Sequence, residues 1–364
     1  MLLSKQSLVR ARAASPGTLF TQTDDAERVR EFANEPLKLR GFRRCVAVAQ
    51  PQRLAGVLVI LLSYNCKEDS LECLASIAKQ TYPNLNLLVI DNASTDGAPA
   101  AISAAYPGVA LISLAENRGW AGGNNLGVKI ALEGGFDFVL LLNHDTILNE
   151  DTVAVLVQKA SSLGPCLLHP AIYYHDHSEG AQLDPSIGHG AIAGSRDALD
   201  LFELDFAYGA CLMVHTELFR RVGLFDERFF LQLEETDFFL RAKKAGFHSF
   251  CFTGTRIYHK ESRGFGGRRT PLKTYYIARN MLLILEKHYR GPRSILSQLK
   301  EVYWSLAHLS LKGDVSARWW SFLLWLVSRD TFAAAARLGM RDYLLRRFGR
   351  ISNSAAQRLA TEIG

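Results

Sequence analysis

The sequence predicts an α/β protein, a sheet of buried strands flanked by helices, followed by a helical C-terminal extension. Three observations predict it. Short continuous apolar runs recur, as in strands buried on both faces. Segments of helical spacing alternate with them, four times in roughly ninety residues, the rhythm of a parallel sheet with right-handed crossovers. A polar cluster closes each run, where open α/β sheets place their ligands.

The elements follow in order. Residues 1–54 mix arginine, alanine and acids without a sustained period and read as an N-terminal extension. Val57–Leu62 is the first strand. Glu68–Gln80 is a helix, with Leu71, Leu74, Ile77 and Ala78 at helical spacing. Asn86–Asp91 is the second strand, and Asp96 opens a small-residue helix that stops before Pro107. Val109–Ser113, a helix over Ala121–Leu132 and a strand over Phe136–Leu142 complete the series. The closing clusters are Tyr64-Asn65, Asp91-Asn92, Asn117-Arg118-Gly119 and Asn143-His144-Asp145. Leu167–Phe206, rich in His, Gly and Asp, reads mostly as loop and short strands. Thr216–Val222 is a short helix ended by Gly223. Glu234–Ala245 is a helix opened by acids and closed by Arg241, Lys243 and Lys244, so both ends complement its dipole. Ser249–Thr253 is a strand, and the chain is helical in texture from about residue 271.

Composition narrows the function. Of 364 residues, 48% are hydrophobic and 21% charged, which supports a sizeable core and excludes wholesale disorder. A net charge of +6 fits a phosphorylated substrate or an anionic membrane and is too weak to imply nucleic acid. The six cysteines form no CxxC pair, which removes a zinc knuckle or redox motif and points to a reducing compartment. The basic N-terminus lacks the apolar stretch of a secretory signal, and no apolar run reaches the ~18 residues of a membrane span.

The segments VLVILLSYN, LLVIDNASTDG, ENRGWAGGNNLG, LLLNHDT, GACLMV, FDERFFLQLEETDFFLRAKKAGF, IYHKES and YYIARNMLL occur in this order. Together they resemble the inverting glycosyltransferase family 2, and within it the rhamnosyltransferase-like enzymes of bacterial surface-polysaccharide assembly. The resemblance implies the GT-A fold, a Rossmann-like mixed sheet flanked by helices. It implies a domain over 55–290, with a nucleotide-binding half (55–148), an acceptor and catalytic half (149–290), and a helical extension over 291–364. It further implies transfer of a sugar from a nucleoside-diphosphate donor, dTDP-rhamnose or a UDP-sugar, to a glycan or lipid-linked saccharide. A cytoplasmic enzyme, in peripheral contact with the inner membrane, would suit such an acceptor.

The residues carry this chemistry as follows. Asp91, at a strand end, accepts a nucleobase N–H in the resembling family, with Tyr64 and Asn65 bordering the ring; a turn aspartate is the alternative. Glycine lets backbone approach a ligand closely, so Asn117, Arg118 and Gly123 are donor contacts by resemblance. The alternative for this segment is tight packing of a helix on the sheet. A departing diphosphate gathers negative charge, which a divalent cation stabilises as a Lewis acid. Asp145 matches the last acid of the family's D-x-D motif, Asn143 stands at the first, and His259 matches a position that completes the metal shell. A mixed oxygen and imidazole set suits Mn2+ or Mg2+. Inversion requires one base for the acceptor hydroxyl. Resemblance selects Glu235, with Glu234 the alternative, and Asp237 is a helix-stabilising, lid or acceptor-side group. Arg263 and Arg268 lie in a basic glycine-rich loop that either closes over the diphosphate or stays solvated. His169, His175, Asp176, His177 and His189 match no zinc spacing and read as a polar loop. SARWWSFLLWLV is either an interfacial or a core-packed helix. Two other classes remain: a nucleotide-dependent oxidoreductase, which would need a dinucleotide fingerprint where this chain has SYNCKED, and a non-catalytic nucleotide-sugar-binding protein.

Overall fold

The computed structural model describes residues 53–174, 201–204, 208–260, 270–289, 291 and 319–361. The chain forms two compact units that interleave along the sequence. The first holds residues up to 117, 123–223 and 245–260, and the second holds 118–122, 224–244 and residues from 261 onward.

The first unit is built on one sheet. Its described strands are β1 (Val57–Ser63), β2 (Leu85–Asp91), β3 (Ala110–Ser113), β4 (Phe138–Asn143), β5 (Thr146–Leu148), β6 (Cys166–Tyr174), β7 (Leu201–Glu203), β8 (Cys211–His215) and β9 (His248–His259). They lie in the order β3-β2-β1-β4-β8-β6-β9-β5, with β7 paired to β9. Between them run α1 (Lys67–Ile77), α2 (Ala98–Ala105), α3 (Gly119–Glu133), α4 (Thr152–Leu163) and α5 (Thr216–Val222). The parallel block β3-β2-β1-β4 is the predicted series. β8 runs antiparallel to β4 and makes the whole sheet mixed. All seven residues of β1 are buried, which is why its sequence is a continuous apolar run and not an alternation. α3 lies close on this strand. A Cβ on Gly123 would stand 2.4 Å from Leu62 Cδ1, and one on Gly127 2.6 Å from Ile60 Cδ1.

Two segments differ from expectation. Cys166–Tyr174, read as loop and short strand, is one strand of nine residues. Pro170 argues against a central strand in sequence; here the register against β9 shifts between Pro170 and Ala171, so the missing N–H falls at an irregularity. β9 is twelve residues long and outruns the expected Ser249–Thr253 at both ends, because it exchanges partners along its length, β7 at its start and β5 at its end.

The second unit is helical: α6 (Glu234–Lys244), α7 (Pro271–His288), α8 (Trp319–Val327), α9 (Thr331–Leu344) and α10 (Asn353–Thr361). Thr270 caps α7 by accepting the Lys273 N–H, and Asp330 caps α9 by accepting that of Ala333. α7 and α9 meet through small residues, Ala278 with Ala333 and Ala336. α7 also buries Arg279 and Asn280 completely. Among the described residues no helix is long and apolar enough to cross a membrane. In α8, Trp325 is buried and donates to Asp330, whereas Leu324 and Val327 are 70% and 76% exposed.

Candidate active site

The parallel ladder levels the strand ends. Ser63 stands opposite Asp91, Asp91 opposite Ser113, and Leu62 opposite Asn143. The polar clusters after β1, β2 and β4 therefore share one edge of the sheet, the carboxyl edge at which such sheets bind ligands. Asn65 takes φ +47°, which asparagine tolerates. Its N–H donates to Ser94 Oγ at 2.9 Å and its Oδ1 accepts the Thr95 N–H at 2.7 Å, so the loops after β1 and β2 are tied together. Asp91 is buried. Its Oδ2 accepts the Ser94 N–H at 3.0 Å, while Oδ1 is buried without a partner. Burial raises the carboxyl above the ordinary aspartate value, against the pull of the Ser94 hydrogen bonds. An unsatisfied buried oxygen costs free energy until a ligand donor reaches it.

Asp145 and His259 form a buried pair. β5 and β9 align Thr146 with His259, and the Lys260 N–H donates to the Asp145 carbonyl at 2.9 Å. This register places His259 Nε2 3.1 Å from Asp145 Oδ1, with His259 Nδ1 buried and without a partner. The Tyr208 ring meets the imidazole edge-on. The Lys260 ammonium, itself buried, donates to Asp69 at 2.7 Å and to Glu72, which ties the end of β9 to α1. Among the described residues no three His, Cys, Asp or Glu side chains gather around one point. One carboxylate beside one imidazole nevertheless fits a divalent cation whose other positions are taken by phosphate oxygens, since such cations commonly bind through one or two protein ligands plus substrate.

The second unit carries the acid pair. Glu234 is buried, and its Oε2 has no partner. Burial, and then the charge of Glu235, hold the Glu234 carboxyl well above the ordinary glutamate value. Burial pushes Glu235 up to about 7, near the working pH of a general base. The turn that leads into these residues is strained: Phe230, Gln232 and Leu233 hold φ of +64°, +70° and +70°. Asp237, two residues on, is closed off. Its carboxylate meets Arg241 Nε at 2.9 Å, Lys287 Nζ at 2.7 Å and His288 Nε2 at 2.8 Å. Burial acts to raise it, but these hydrogen bonds and charges leave it below the ordinary aspartate value.

The remaining expectations fall out unevenly. Asn143 ends β4, and its carbonyl accepts the Thr146 hydroxyl at 2.7 Å. Asn117 and Arg118 lie between β3 and α3, where the chain passes from the first unit to the second. Gly123, expected as a donor contact, is accounted for by the packing of α3 on Leu62. Asp237, expected as a lid or acceptor-side candidate, is an anchor of α6 through Arg241, Lys287 and His288. His169 lies in β6 and not in a loop, whereas His175, Asp176, His177, His189, Arg263 and Arg268 lie outside the described residues. Sequence reasoning missed Lys260, Lys287 and His288. Their ion pairs join residues far apart in sequence and have no local signature, unlike Asp237–Arg241, four residues apart on one helix.

Residues 58–223 match the family model described as Glycosyl transferase family 2. A low-salt glycan biosynthesis hexosyltransferase of Haloferax volcanii is 26% identical over 209 residues, which are 54% of this chain and 64% of that protein. An N-acetylglucosaminyl-diphospho-decaprenol L-rhamnosyltransferase of Mycobacterium tuberculosis is 27% identical over 241 residues, 57% of this chain and 77% of that one. A dTDP-rhamnosyl transferase of Shigella flexneri is 23% identical over 270 residues, 71% of this chain and 88% of that one. Among solved structures, a mannosyltransferase from Pyrobaculum calidifontis in complex with GDP-Man and Mn2+ aligns with 88% of this chain and 94% of its own, at 16% identity and a TM-score of 0.48. The stretch that builds most of the mixed sheet, residues 58–223, is thus similar to glycosyltransferase family 2.

Proposed function

We propose that this glycosyltransferase transfers a sugar, with inversion, from a dTDP- or UDP-sugar to a hydroxyl of a glycan or lipid-linked saccharide in surface-polysaccharide assembly. The observation that carries the reading is the buried Asp145–His259 pair in a sheet whose strand ends also present the half-satisfied Asp91. Asp91 Oδ1 accepts the ring N–H of uracil or thymine, and Tyr64 and Asn65 border the base. Asp145 and His259 would hold Mn2+ or Mg2+, which would supply Lewis-acid stabilisation of the departing diphosphate. Asn143, Asn117 and Arg118 are further donor contacts. Glu235 accepts the acceptor's hydroxyl proton as its oxygen bonds to the anomeric carbon. The bond from that carbon to the diphosphate breaks on the opposite face, and the diphosphate keeps the electron pair. One base suffices because a single displacement inverts the centre.

The reading includes contact with the cytoplasmic face of a membrane that holds a lipid-linked acceptor. Exposed Leu324, Val327, Leu344 and Leu345, with Arg346, Arg347 and Arg350 close by in sequence, supply apolar and cationic groups suited to it. Flotation with anionic liposomes tests this part: the protein should rise with the vesicles, and recovery only at the bottom removes it.

The main test is a thermal-shift panel of UDP, dTDP and GDP, with and without Mn2+. A ligand at a hundredfold over its Kd adds about 2.7 kcal/mol of apparent stability. A metal-dependent shift with dTDP or UDP is expected. A shift confined to GDP removes the base-reading role of Asp91, and no shift with any of the three removes the donor site.

A further inference from the structure

The turn that delivers Glu234 and Glu235 into α6 holds three non-glycine residues at positive φ, a conformation that L side chains adopt only under strain. Such strain persists only where the surroundings over-determine it. Here every carbonyl from Arg228 to Gln232 has a donor. Arg279 Nη2 donates to Arg228 O at 3.1 Å and to Phe229 O at 2.8 Å. Asn280 Nδ2 donates its two hydrogens to Leu231 O at 2.8 Å and Gln232 O at 2.7 Å, and lies 3.0 Å from Phe229 O. The Trp120 N–H donates to Phe230 O at 2.7 Å, and the Gly349 N–H to Arg228 O at 3.1 Å. Gly119 makes the Trp120 contact feasible, because a Cβ there would stand 2.1 Å from Phe230 O.

The two side chains at the centre also orient each other. Arg279 Nε donates to Asn280 Oδ1 at 3.0 Å, which fixes the amide so that its NH2 faces the turn. Arg279 Nη1 donates to Gly349 O at 2.6 Å, and its guanidinium lies over the Tyr275 and Tyr276 rings. Both side chains are fully buried. Burying a guanidinium costs several kcal/mol, and a helix that only needed packing there would be as stable or more so with an apolar residue. The hydrogen bonds give Arg279 and Asn280 a narrower task than holding α7 in place.

We infer that Arg279 and Asn280 are positioning residues for the acid pair: they lock the Arg228–Leu233 turn and through it set the placement of Glu235. The inference rests on the reading of Glu235 as base. It also makes the segment around Gly349, outside the family match, part of the same device.

Asn280→Ser and Arg279→Lys test it in the full chain. Misplacing a catalytic group by about 1 Å can cost on the order of 10²-fold. The expected result is a kcat fall of roughly that size per folded enzyme, with the donor KM within about threefold of the parent. Adding Gln232→Gly to Asn280→Ser should return about tenfold of the loss, since glycine holds positive φ at no steric cost. A role in stability alone would lower Tm and leave kcat per folded enzyme unchanged. That outcome overturns the inference, as does a parallel change in kcat and KM or the absence of rescue. If neither variant folds, hydrogen–deuterium exchange of the parent decides: protection of the 228–235 amides equal to that of the β1–β4 ladder supports the clamp, and exchange at the rate of an exposed loop overturns it. Glu235→Gln separates the two readings. If it keeps turnover, the base assignment fails; if it is inactive while Asn280→Ser keeps kcat, the clamp alone fails.

Discussion

Asp91 and Asp145 are held by backbone; Glu235 is held by side chains. In the first unit, parallel registers level the strand ends, and buried Val, Leu and Ile on both faces of β1 keep them level. The acids there inherit their positions from the ladder. In the second unit the turn before α6 has no ladder, and most of its carbonyls are gathered by one buried arginine and one buried asparagine. α6 itself is anchored by Asp237 through two cations and an imidazole. The difference teaches that the geometry of the strand ends rests on many small apolar contacts, whereas the acid pair rests on a few polar contacts of high consequence.

That contrast breaks most visibly at the acids themselves. Asp145→Ala should cost several kcal/mol of transition-state stabilisation, roughly 10³-fold or more in kcat, and abolish the metal-dependent part of the nucleotide thermal shift. Glu235→Gln should cost on the order of 10²–10³-fold in kcat and leave that shift intact. Loss of the nucleotide shift in both variants would refute the division of labour.

The pH dependence sharpens the second arm. The base works when deprotonated, so kcat should rise about tenfold per unit up to about 7 and level above it. Stability runs the other way. The folded state keeps the Glu235 proton between the ordinary value of 4.5 and about 7, so stability declines as pH rises through that window. Glu235→Gln should therefore melt above the parent at pH 8 and level with it at pH 4. Equal melting at both values would mean that Glu235 is solvated.

Two smaller effects compare the anchors. Asp237→Asn removes a buried carboxylate from two half-buried cations and should cost about 3 kcal/mol, read from urea unfolding. In the parent, that contribution is present above the ordinary value of 3.8 and is lost as pH falls through the lower folded value. Gly123→Ala presses on the Leu62 side chain, whose end can shift, and should cost about 1–2 kcal/mol without altering the pH profile. A larger loss for Gly123→Ala than for Asp237→Asn would reverse the comparison.

How much was legible in the sequence follows the same division. β1, β2 and β4 announce themselves because strands buried on both faces need unbroken apolar runs, and the polar residues after them had nowhere to fall but the sheet edge. β6 was hidden by Pro170, a residue that a strand accepts only at an edge or an irregularity, here a register shift, and by the His-, Gly- and Asp-rich sequence that follows. The glycines of ENRGWAGGNNLG were visible as close-approach positions, but what approaches is Leu62, Ile60 and the Phe230 carbonyl. The Asp145–His259 contact spans 114 residues and was reachable only through family resemblance. The Arg279 and Asn280 hydrogen bonds join a helix to a turn some fifty residues earlier, and no local pattern encodes which carbonyls a buried amide will face.

Gly349 gives this arrangement an order in time. Its N–H and carbonyl serve Arg228 and Arg279, residues made long before it. On the ribosome the last strand of the sheet is complete once residue 259 has been added. The turn before the acid pair waits for almost ninety further residues, which at a typical ~5–20 residues per second is several seconds of synthesis. A nascent chain, or one cut short by a premature stop codon just before Gly349, thus owns the strand-end acids without a finished turn. Translation itself delays the completion of that turn.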